Sequence, residues 1–144
     1  MTPSSKFIDA FLDKISEYKY LNYTEDEVRT IATRYMKIAC SRFNKICEAD
    51  LASYNDETGE FESDDIDDEI IDIVSEGMVA EWLKPYRNNS DNLENVLSTK
   101  DYSLFSTANL LSQIRDTEEL AQKRFVNMMR EYSYNHGDLT SLHI

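Results

Sequence analysis

Nine carboxylates lie between Asp56 and Glu69, and this acidic segment is the first place in the sequence where metal chemistry could occur. An EF-hand loop binds calcium with an acid at its first position, a glycine at its sixth and a glutamate at its twelfth. If Gly59 is placed sixth, Tyr54 falls first and Asp65 falls twelfth. Tyr54 has no carboxylate, so the motif fails, and we expect no bound metal.

The other interpretation of this segment is a solvated acidic surface, whose last residues also favour the dipole of a following helix. We call its exposed part the acidic rim. Its members are Asp56, Glu57, Glu60, Glu62, Asp64 and Asp65.

Two cysteines and two histidines are further candidates for nucleophilic or metal chemistry. Cys40 and Cys47 are seven residues apart in a predicted helix, and their separation of roughly 10 Å is too long for a disulfide. Both lie on or near an apolar stripe, which favours buried thiols in a reducing compartment over a nucleophile paired with His136. His136 and His143 also lack the spacing with a glutamate that helical zinc sites use.

The sequence also lacks two other common catalytic patterns. Three scattered glycines provide neither a G-x-S-x-G elbow nor a phosphate-binding loop. Glu81 sits within an apolar helix face, between Gly77 and Trp82, and we interpret it as a structural ion pair or hydrogen-bond partner. A catalytic acid with a perturbed pKa would need a second polar partner. The sequence therefore predicts no enzyme activity, no catalytic residue and no cofactor.

Length and composition indicate one domain built mainly from helices. The 144 residues suffice for a hydrophobic core without a metal or a disulfide. Few Gly and Pro residues favour long helices over a turn-rich sandwich or barrel. The net charge of −13 disfavours sequence-independent DNA binding, because acidic surfaces repel phosphates. A transmembrane run and a signal peptide are both lacking, which predicts a soluble protein without a membrane partner.

Apolar periodicity predicts a first helix from Ser5 to about Tyr20, and Asn22 and Tyr23 form a break. Thr24 and Glu27 make a capping box that begins a second helix of about 25 residues. The apolar stripe of this helix is Val28, Ile31, Ala32, Tyr35, Ala39, Phe43, Ile46 and Cys47. Its other faces carry basic residues, which suggests ion pairs within the protein or with a neighbouring subunit. They are Arg29, Arg34, Lys37, Arg42 and Lys45.

The pattern changes between residues 50 and 66. Tyr54 and Phe61 flank the turn Asn55–Gly59, which predicts a small β-hairpin in which Gly59 adopts a positive φ. The rival interpretation is a disordered acidic loop.

A third helix, capped by Ser63 or Asp65, is apolar around much of its circumference and should be buried on more than one side. Gly77 within it is expected at a close helix crossing, and Pro85 is expected to end the helix. Ser90 then caps a predicted short helix that contains Leu93, Val96 and Leu97. Tyr102 and Phe105 anchor a turn, after which Ser106 or Thr107 begins a last long helix that reaches about Tyr134.

These patterns predict a mainly α fold: a compact bundle with two long helices, a third buried helix, short connecting helices and a small β-hairpin near Gly59. We expect a helical domain over residues 1–137 and a partner-docking C-terminal tail over residues 138–144. Nine tyrosines are many for this length, and tyrosine is enriched at protein interfaces. The predicted protein-contact residues are Tyr132, Tyr134, Leu139, Leu142 and Ile144.

Three segments carry a resemblance to a known family. They are Gly77–Pro85 (GMVAEWLKP), Thr99–Asn109 (TKDYSLFSTAN) and Arg130–Tyr134 (REYSY). This series resembles the small neck proteins of tailed bacteriophages, the head–tail connector or adaptor proteins. The similarity covers roughly residues 24–140.

The resemblance implies a virion structural protein located in the neck, and in the host cytoplasm during assembly. Its copies would form a homo-oligomeric ring, twelve-fold to match a portal, with the portal protein and stopper or tail proteins as partners. The segment from Gly137 to Ile144 would be directed toward the portal. The acidic rim would lie on an exposed edge or near the lumen, where DNA passes without specific binding.

Two other classes of function stay open. One is a small acidic regulator that occupies a basic site on another protein, as a nucleic-acid mimic does. The other is an enzyme with a concealed site, which a bound small molecule or metal in a pocket holding Glu81 would support.

Overall fold

The computed structural model describes residues 1–21, 24–97 and 105–136, and within these ranges the fold is mainly helical, as the sequence predicts. The helices are α1 (Ser4–Ile15), α2 (Glu25–Phe43), α3 (Asp68–Leu97) and α4 (Phe105–His136), with a 3-10 segment, Ser16–Leu21, after α1. Three two-residue strands complete the described structure: β1 (Thr2–Pro3), β2 (Tyr54–Asn55) and β3 (Glu60–Phe61).

Helix α3 lies at the centre and packs against α4, α2 and α1. From Ile70 to Leu83 every residue except Asp72 is buried, so the prediction of a helix buried on more than one side is confirmed. The aromatic ring of Trp82 lies against Phe11 of α1 at a centroid distance of 6.2 Å. A helix with polar residues on so little of its surface is stable only when neighbours cover it on several sides.

Gly77 lies at a close approach between α3 and two of its neighbours. A Cβ atom at this position would lie 2.7 Å from Cζ of Phe125 on α4 and 2.9 Å from Cβ of Ala39 on α2. Both distances are well below the usual carbon–carbon contact of about 3.5–4.0 Å. The predicted close crossing is therefore confirmed, and it joins three helices.

Both ends of α3 differ from the prediction. The cap is Asp67, whose Oδ1 accepts a hydrogen bond of 3.0 Å from the amide of Ile70, and neither Ser63 nor Asp65 takes this position. The prediction that Pro85 ends the helix is wrong, because Pro85 lies inside α3.

The helix continues beyond the proline because side chains on the far side are held by the core. Tyr86 packs on Trp82 with ring centroids 5.2 Å apart, and Arg87 pairs with Glu118 of α4 at 2.7 Å. The predicted separate helix that Ser90 would cap is consequently part of α3, which runs to Leu97.

Helix α2 begins as predicted, with the Thr24 hydroxyl accepting a hydrogen bond of 3.4 Å from the amide of Glu27. It ends at Phe43, several residues earlier than predicted. Oδ1 of Asn44 accepts a hydrogen bond of 2.9 Å from the amide of Leu51, which stabilises the change of direction after the helix. Two members of the predicted apolar stripe are exposed: Ile46, which lies beyond the helix end, and Ile31, which lies within α2; each is 41% exposed.

The predicted hairpin near Gly59 is confirmed, and Gly59 has a φ of 70°. Strand β3 pairs antiparallel with β2, with Tyr54 opposite Phe61. It also pairs with β1, so Thr2 lies opposite Phe61 on the other side. Strand β1 could not be predicted, because a two-residue strand before a helix has no alternation of apolar and polar residues that could reveal it.

Candidate functional site

Glu81 lies one helical turn after Gly77 and is 6% exposed, so its carboxylate needs partners within the protein. Its Oε1 accepts a hydrogen bond of 2.9 Å from Nζ of Lys84 and lies 3.5 Å from Nη1 of Arg42 on α2. Arg42 also donates a hydrogen bond of 3.1 Å to Gln122 on α4. The Arg42 guanidinium lies 4.7 Å from the ring centroid of Phe125, a favourable cation–π distance.

A second buried carboxylate extends this cluster. Glu118 of α4 is 5% exposed and accepts a hydrogen bond of 2.7 Å from Arg87. Gln122 donates to the same carboxylate at 3.3 Å, and Arg87 also pairs with Glu119 at 3.1 Å. We call this set the cleft cluster, because it lines an open cleft of about 530 Å³ between α2, α3 and α4. Its members are Arg42, Glu81, Lys84, Arg87, Glu118, Glu119 and Gln122.

The cleft cluster connects three helices through alternating charges. The buried carboxylates each have a cationic partner, as buried charges require. The interpretation of Glu81 as a structural ion pair is therefore confirmed. Its partner Arg42 belongs to the basic faces of α2, for which the sequence predicted ion pairs within the protein or with a neighbouring subunit; Arg42 pairs within the protein. Glu118 was missed, although its i,i+4 spacing with Gln122 is a recognisable helix pair.

The cysteines are placed for packing. Cys40 is buried on α2, and burial raises the pKa of its thiol to about 12. Burial also raises the pKa of the half-buried Cys47. A thiol with a raised pKa is a poor nucleophile at neutral pH, because the thiolate is the reactive form. His136, the partner considered for a nucleophile, instead lies 3.1 Å from Glu69 and 3.8 Å from Glu48.

The acidic rim surrounds the hairpin. Asp56 pairs with Lys37 of α2 at 2.6 Å, and Asp64 contacts the amino group of Met1. The side chains of Asp56, Glu57, Glu62, Asp64 and Asp65 are exposed, and that of Glu60 is partly buried. The rim is thus on the surface of the protomer, anchored at both ends by cations.

The two predicted contact tyrosines have different environments. Tyr132 is 2% exposed: its ring packs edge-on against Phe43 at 4.9 Å, and its hydroxyl accepts a hydrogen bond of 3.2 Å from the amide of Glu48. Tyr132 must therefore be corrected from a contact residue to a core residue. Tyr134 is 79% exposed and remains available to a partner. The other predicted contact residues, Leu139, Leu142 and Ile144, lie outside the described residues.

A groove that no sequence pattern predicts lies between α2 and the hairpin. Its volume is about 390 Å³, within the range of about 300–1,000 Å³ typical of binding pockets. Cys40, Leu51 and Phe61 form an apolar floor, and the ring of Tyr54 forms one wall. It is lined by residues distant in sequence, so no local pattern could have revealed it.

Among the described side chains, no three His, Cys, Asp or Glu residues are grouped so that they could hold a metal ion. In the same part of the chain, no helix is both long enough and apolar enough to cross a membrane.

Comparison with known proteins gives no match of any of three kinds. No protein-family model matches the sequence, and no curated protein and no solved structure is similar to the chain.

Proposed function

We propose that the chain is a structural protein of the bacteriophage virion, a head–tail connector whose copies form a ring between the portal and the tail components. The observation that carries this proposal is the resemblance of Gly77–Pro85, Thr99–Asn109 and Arg130–Tyr134 to the connector family. The first segment occupies the middle of α3, where three helices meet, and the third occupies the last turns of α4. Thr99–Asn109 lies only partly within the described residues.

A closed ring needs two different surfaces on each copy, because its contacts run head to tail. One suitable surface is the outer face of α2. Ile31 and Ile38 are 41% and 36% exposed, and their seven-residue spacing places them on one side of the helix with Arg34 between them. Exposed apolar side chains on one face are typical of protein contacts.

The acidic rim supplies a complementary second surface. A basic and apolar helix face on one copy and an acidic edge on the next attract each other, and such complementarity fixes the register of neighbouring subunits. Where the acidic rim faces the channel instead, it keeps DNA from adhering as it passes. Tyr134 and the tail that follows α4 are then available to the portal or to stopper and tail proteins.

The first test is the oligomeric state of the purified protein, measured by light scattering after size exclusion and by particle imaging, together with mass spectrometry of purified virions. We expect rings and a virion component. A protein that stays monomeric at every concentration and is missing from virions would refute the proposal.

A paired substitution sharpens this test. Ile31→Asp combined with Ile38→Asp should abolish ring formation while leaving the helical circular dichroism unchanged, because both side chains are exposed. Leu120→Asp is the matched control, since it places the same charge on another exposed apolar residue, on α4. Rings that survive the α2 pair and are lost with Leu120→Asp would exclude the α2 face as the subunit contact.

The second candidate function is an acidic regulator that binds a basic site on another protein. The exposed acidic rim favours it, because closely spaced carboxylates can mimic a phosphate backbone. A partner that DNA displaces, bound by a protein that forms no ring, would support this function over the connector.

A further inference from the structure

We propose that the cleft between α2, α3 and α4 receives the acidic turn of the hairpin, Asp56–Gly59, from a second copy of the chain. In this contact Glu57 of one copy pairs with Lys123 of the next. The inference rests on the connector proposal, because it names the residues through which neighbouring copies meet.

The cleft holds its negative charges in its interior and its positive charges near the surface. The side chains of Glu81 and Glu118 are buried. Their cationic partners stay partly exposed, with 35% of the Arg42 side chain, 46% of Lys84 and 31% of Arg87 accessible. The outward side of the cleft is therefore cationic, although the net charge of the chain is −13.

One positive charge of the cleft has no counterpart. The residues that line the cleft include four cations and three carboxylates. Glu119, the exposed one of these carboxylates, pairs with Arg87 at 3.1 Å. Lys123 is exposed and pairs with no carboxylate in the part of the chain that the structure describes. An anionic side chain that enters the cleft therefore meets this ammonium group, and it finds the partly exposed Ile38 at the edge as an apolar contact.

The hairpin turn has the opposite charge and a fixed shape. Asp56, Glu57 and Thr58 are exposed. The amide of Glu57 donates a hydrogen bond of 2.9 Å to Oδ1 of Asn55, and the amide of Gly59 donates one of 2.9 Å to the carbonyl of Asn55. A turn that is already ordered in the free protein loses little conformational entropy when it binds.

Helix α2 separates this turn from the cleft of its own copy. Lys37 pairs with Asp56, and Cys40 lines the groove beside the hairpin. Ile38 and Arg42 line the cleft. Cys40 is two residues from each of them, which is a rotation of roughly 200° around the helix axis at 3.6 residues per turn. The hairpin and the cleft thus lie on different sides of α2, so the turn that enters a cleft must come from another copy.

The resulting contact runs head to tail. Each copy offers its turn to one neighbour and its cleft to the other, and such a contact closes into a ring when the rotation between copies permits it. The opposite charges of the two surfaces fix which parts meet. Ile38 belongs to both the cleft edge and the outer face of α2, so the cleft continues the surface proposed for the subunit contact.

Charge reversal tests the pair. Lys123→Glu should raise the dissociation constant of self-association, measured by light scattering, by about fivefold or more, because it sets two carboxylates against each other. Adding Glu57→Lys should restore the native value, since the pair forms again in the opposite order. A folding defect in α4 would not be repaired by a change in the hairpin. Arg124→Glu is the matched control: this exposed neighbour on α4 lines a different hollow, with Lys14, and its reversal should leave association unchanged.

Disulfide trapping between copies provides the second measurement. A Thr58→Cys chain is mixed with an Ile38→Cys chain or, as the matched control, with a Leu120→Cys chain, whose exposed position on α4 does not line the cleft. We expect disulfides between chains to form roughly tenfold faster with Ile38→Cys, because the contact raises the local concentration of the two thiols.

The outcomes separate this contact from the connector proposal. Rings that tolerate Lys123→Glu, or equal trapping at Ile38→Cys and Leu120→Cys, would overturn the contact and leave the connector proposal standing. Open filaments that depend on Glu57 and Lys123, without any closed ring, would confirm the contact and refute the connector. A native chain that stays monomeric would overturn both.

Discussion

Gly77 and Glu81 are one helical turn apart on α3 and face the same two neighbours, yet the helices are joined there in opposite ways. At Gly77 the absence of a side chain brings α3 against Ala39 of α2 and Phe125 of α4. At Glu81 the same helices are bridged by a charged side chain that contacts Arg42. One contact depends on shape and the other on charge.

The difference follows from the spacing of the helices. At the crossing, the Phe125 ring and the Ala39 Cβ lie so close to Gly77 that no side chain fits at this position, and dispersion contacts dominate. One turn farther the helices border an open cleft, which only long side chains such as Arg42 and Glu81 can span. Phe125 takes part in both contacts, since its ring edge lies at Gly77 and its face receives the Arg42 guanidinium.

Removal of Phe125 should therefore have the largest effect on stability. We expect Phe125→Ala to lower the free energy of unfolding by about 3–5 kcal/mol, because it opens a cavity at the crossing and removes the aromatic partner of Arg42. Urea unfolding followed by circular dichroism measures this. Met128→Ala, at a partly buried position one turn later on α4, is the control and should have a smaller effect. Equal losses for the two variants would show that the crossing has no special weight.

Filling the crossing should have the next largest effect. Gly77→Ala should lower the free energy of unfolding by about 1–3 kcal/mol through overpacking, even though alanine favours helices by about 1 kcal/mol. Because the nearest atoms belong to the Phe125 ring, Gly77→Ala should cost less in a Phe125→Leu background, and the contact with the Ala39 Cβ at 2.9 Å should retain part of the loss. A double-mutant cycle measures this coupling. Additive effects would mean that Ala39, rather than the Phe125 ring, limits the space.

The two contacts also differ in how far the sequence reveals them. The crossing was predictable, because a glycine destabilises a helix interior and is therefore favoured there mainly where a neighbouring helix approaches closely. For Glu81 the sequence indicates that a partner is needed, and the basic faces of α2 indicate where partners could come from. Which basic residue of α2 pairs with Glu81 depends on how α2 and α3 are aligned, and this alignment is a tertiary property.

The wrong predictions have a similar origin. The sequence predicts that Pro85 ends α3, because the loss of one hydrogen bond is a local effect. The tertiary ion pair between Arg87 and Glu118 of α4, together with the packing of Tyr86 on the buried Trp82 one turn earlier in α3, outweighs it. Composition alone places Tyr132 on a contact surface, whereas its burial depends on Phe43 and Glu48, far away in the chain. The groove beside the hairpin is also formed by residues from separate segments of the chain, so its existence depends on the tertiary structure.

Neutralising Glu81 should have the smallest effect of the three changes and should distinguish charge from shape most directly. Glu81→Gln keeps the size of the side chain but leaves Arg42 and Lys84 without their shared carboxylate. We expect a loss of about 1–2 kcal/mol in the free energy of unfolding, since hydrogen bonds to charged groups contribute about 1.5–3 kcal/mol and the partly exposed partners recover some hydration.

Urea unfolding at low and high salt measures this loss, which should shrink at high salt, because screening weakens the native pair. Lys84→Ala is the control: its side chain is 46% exposed, so we expect about 0–0.5 kcal/mol. If Lys84→Ala proved as damaging as Glu81→Gln, the exposed lysine rather than Arg42 would be the partner that stabilises the buried carboxylate.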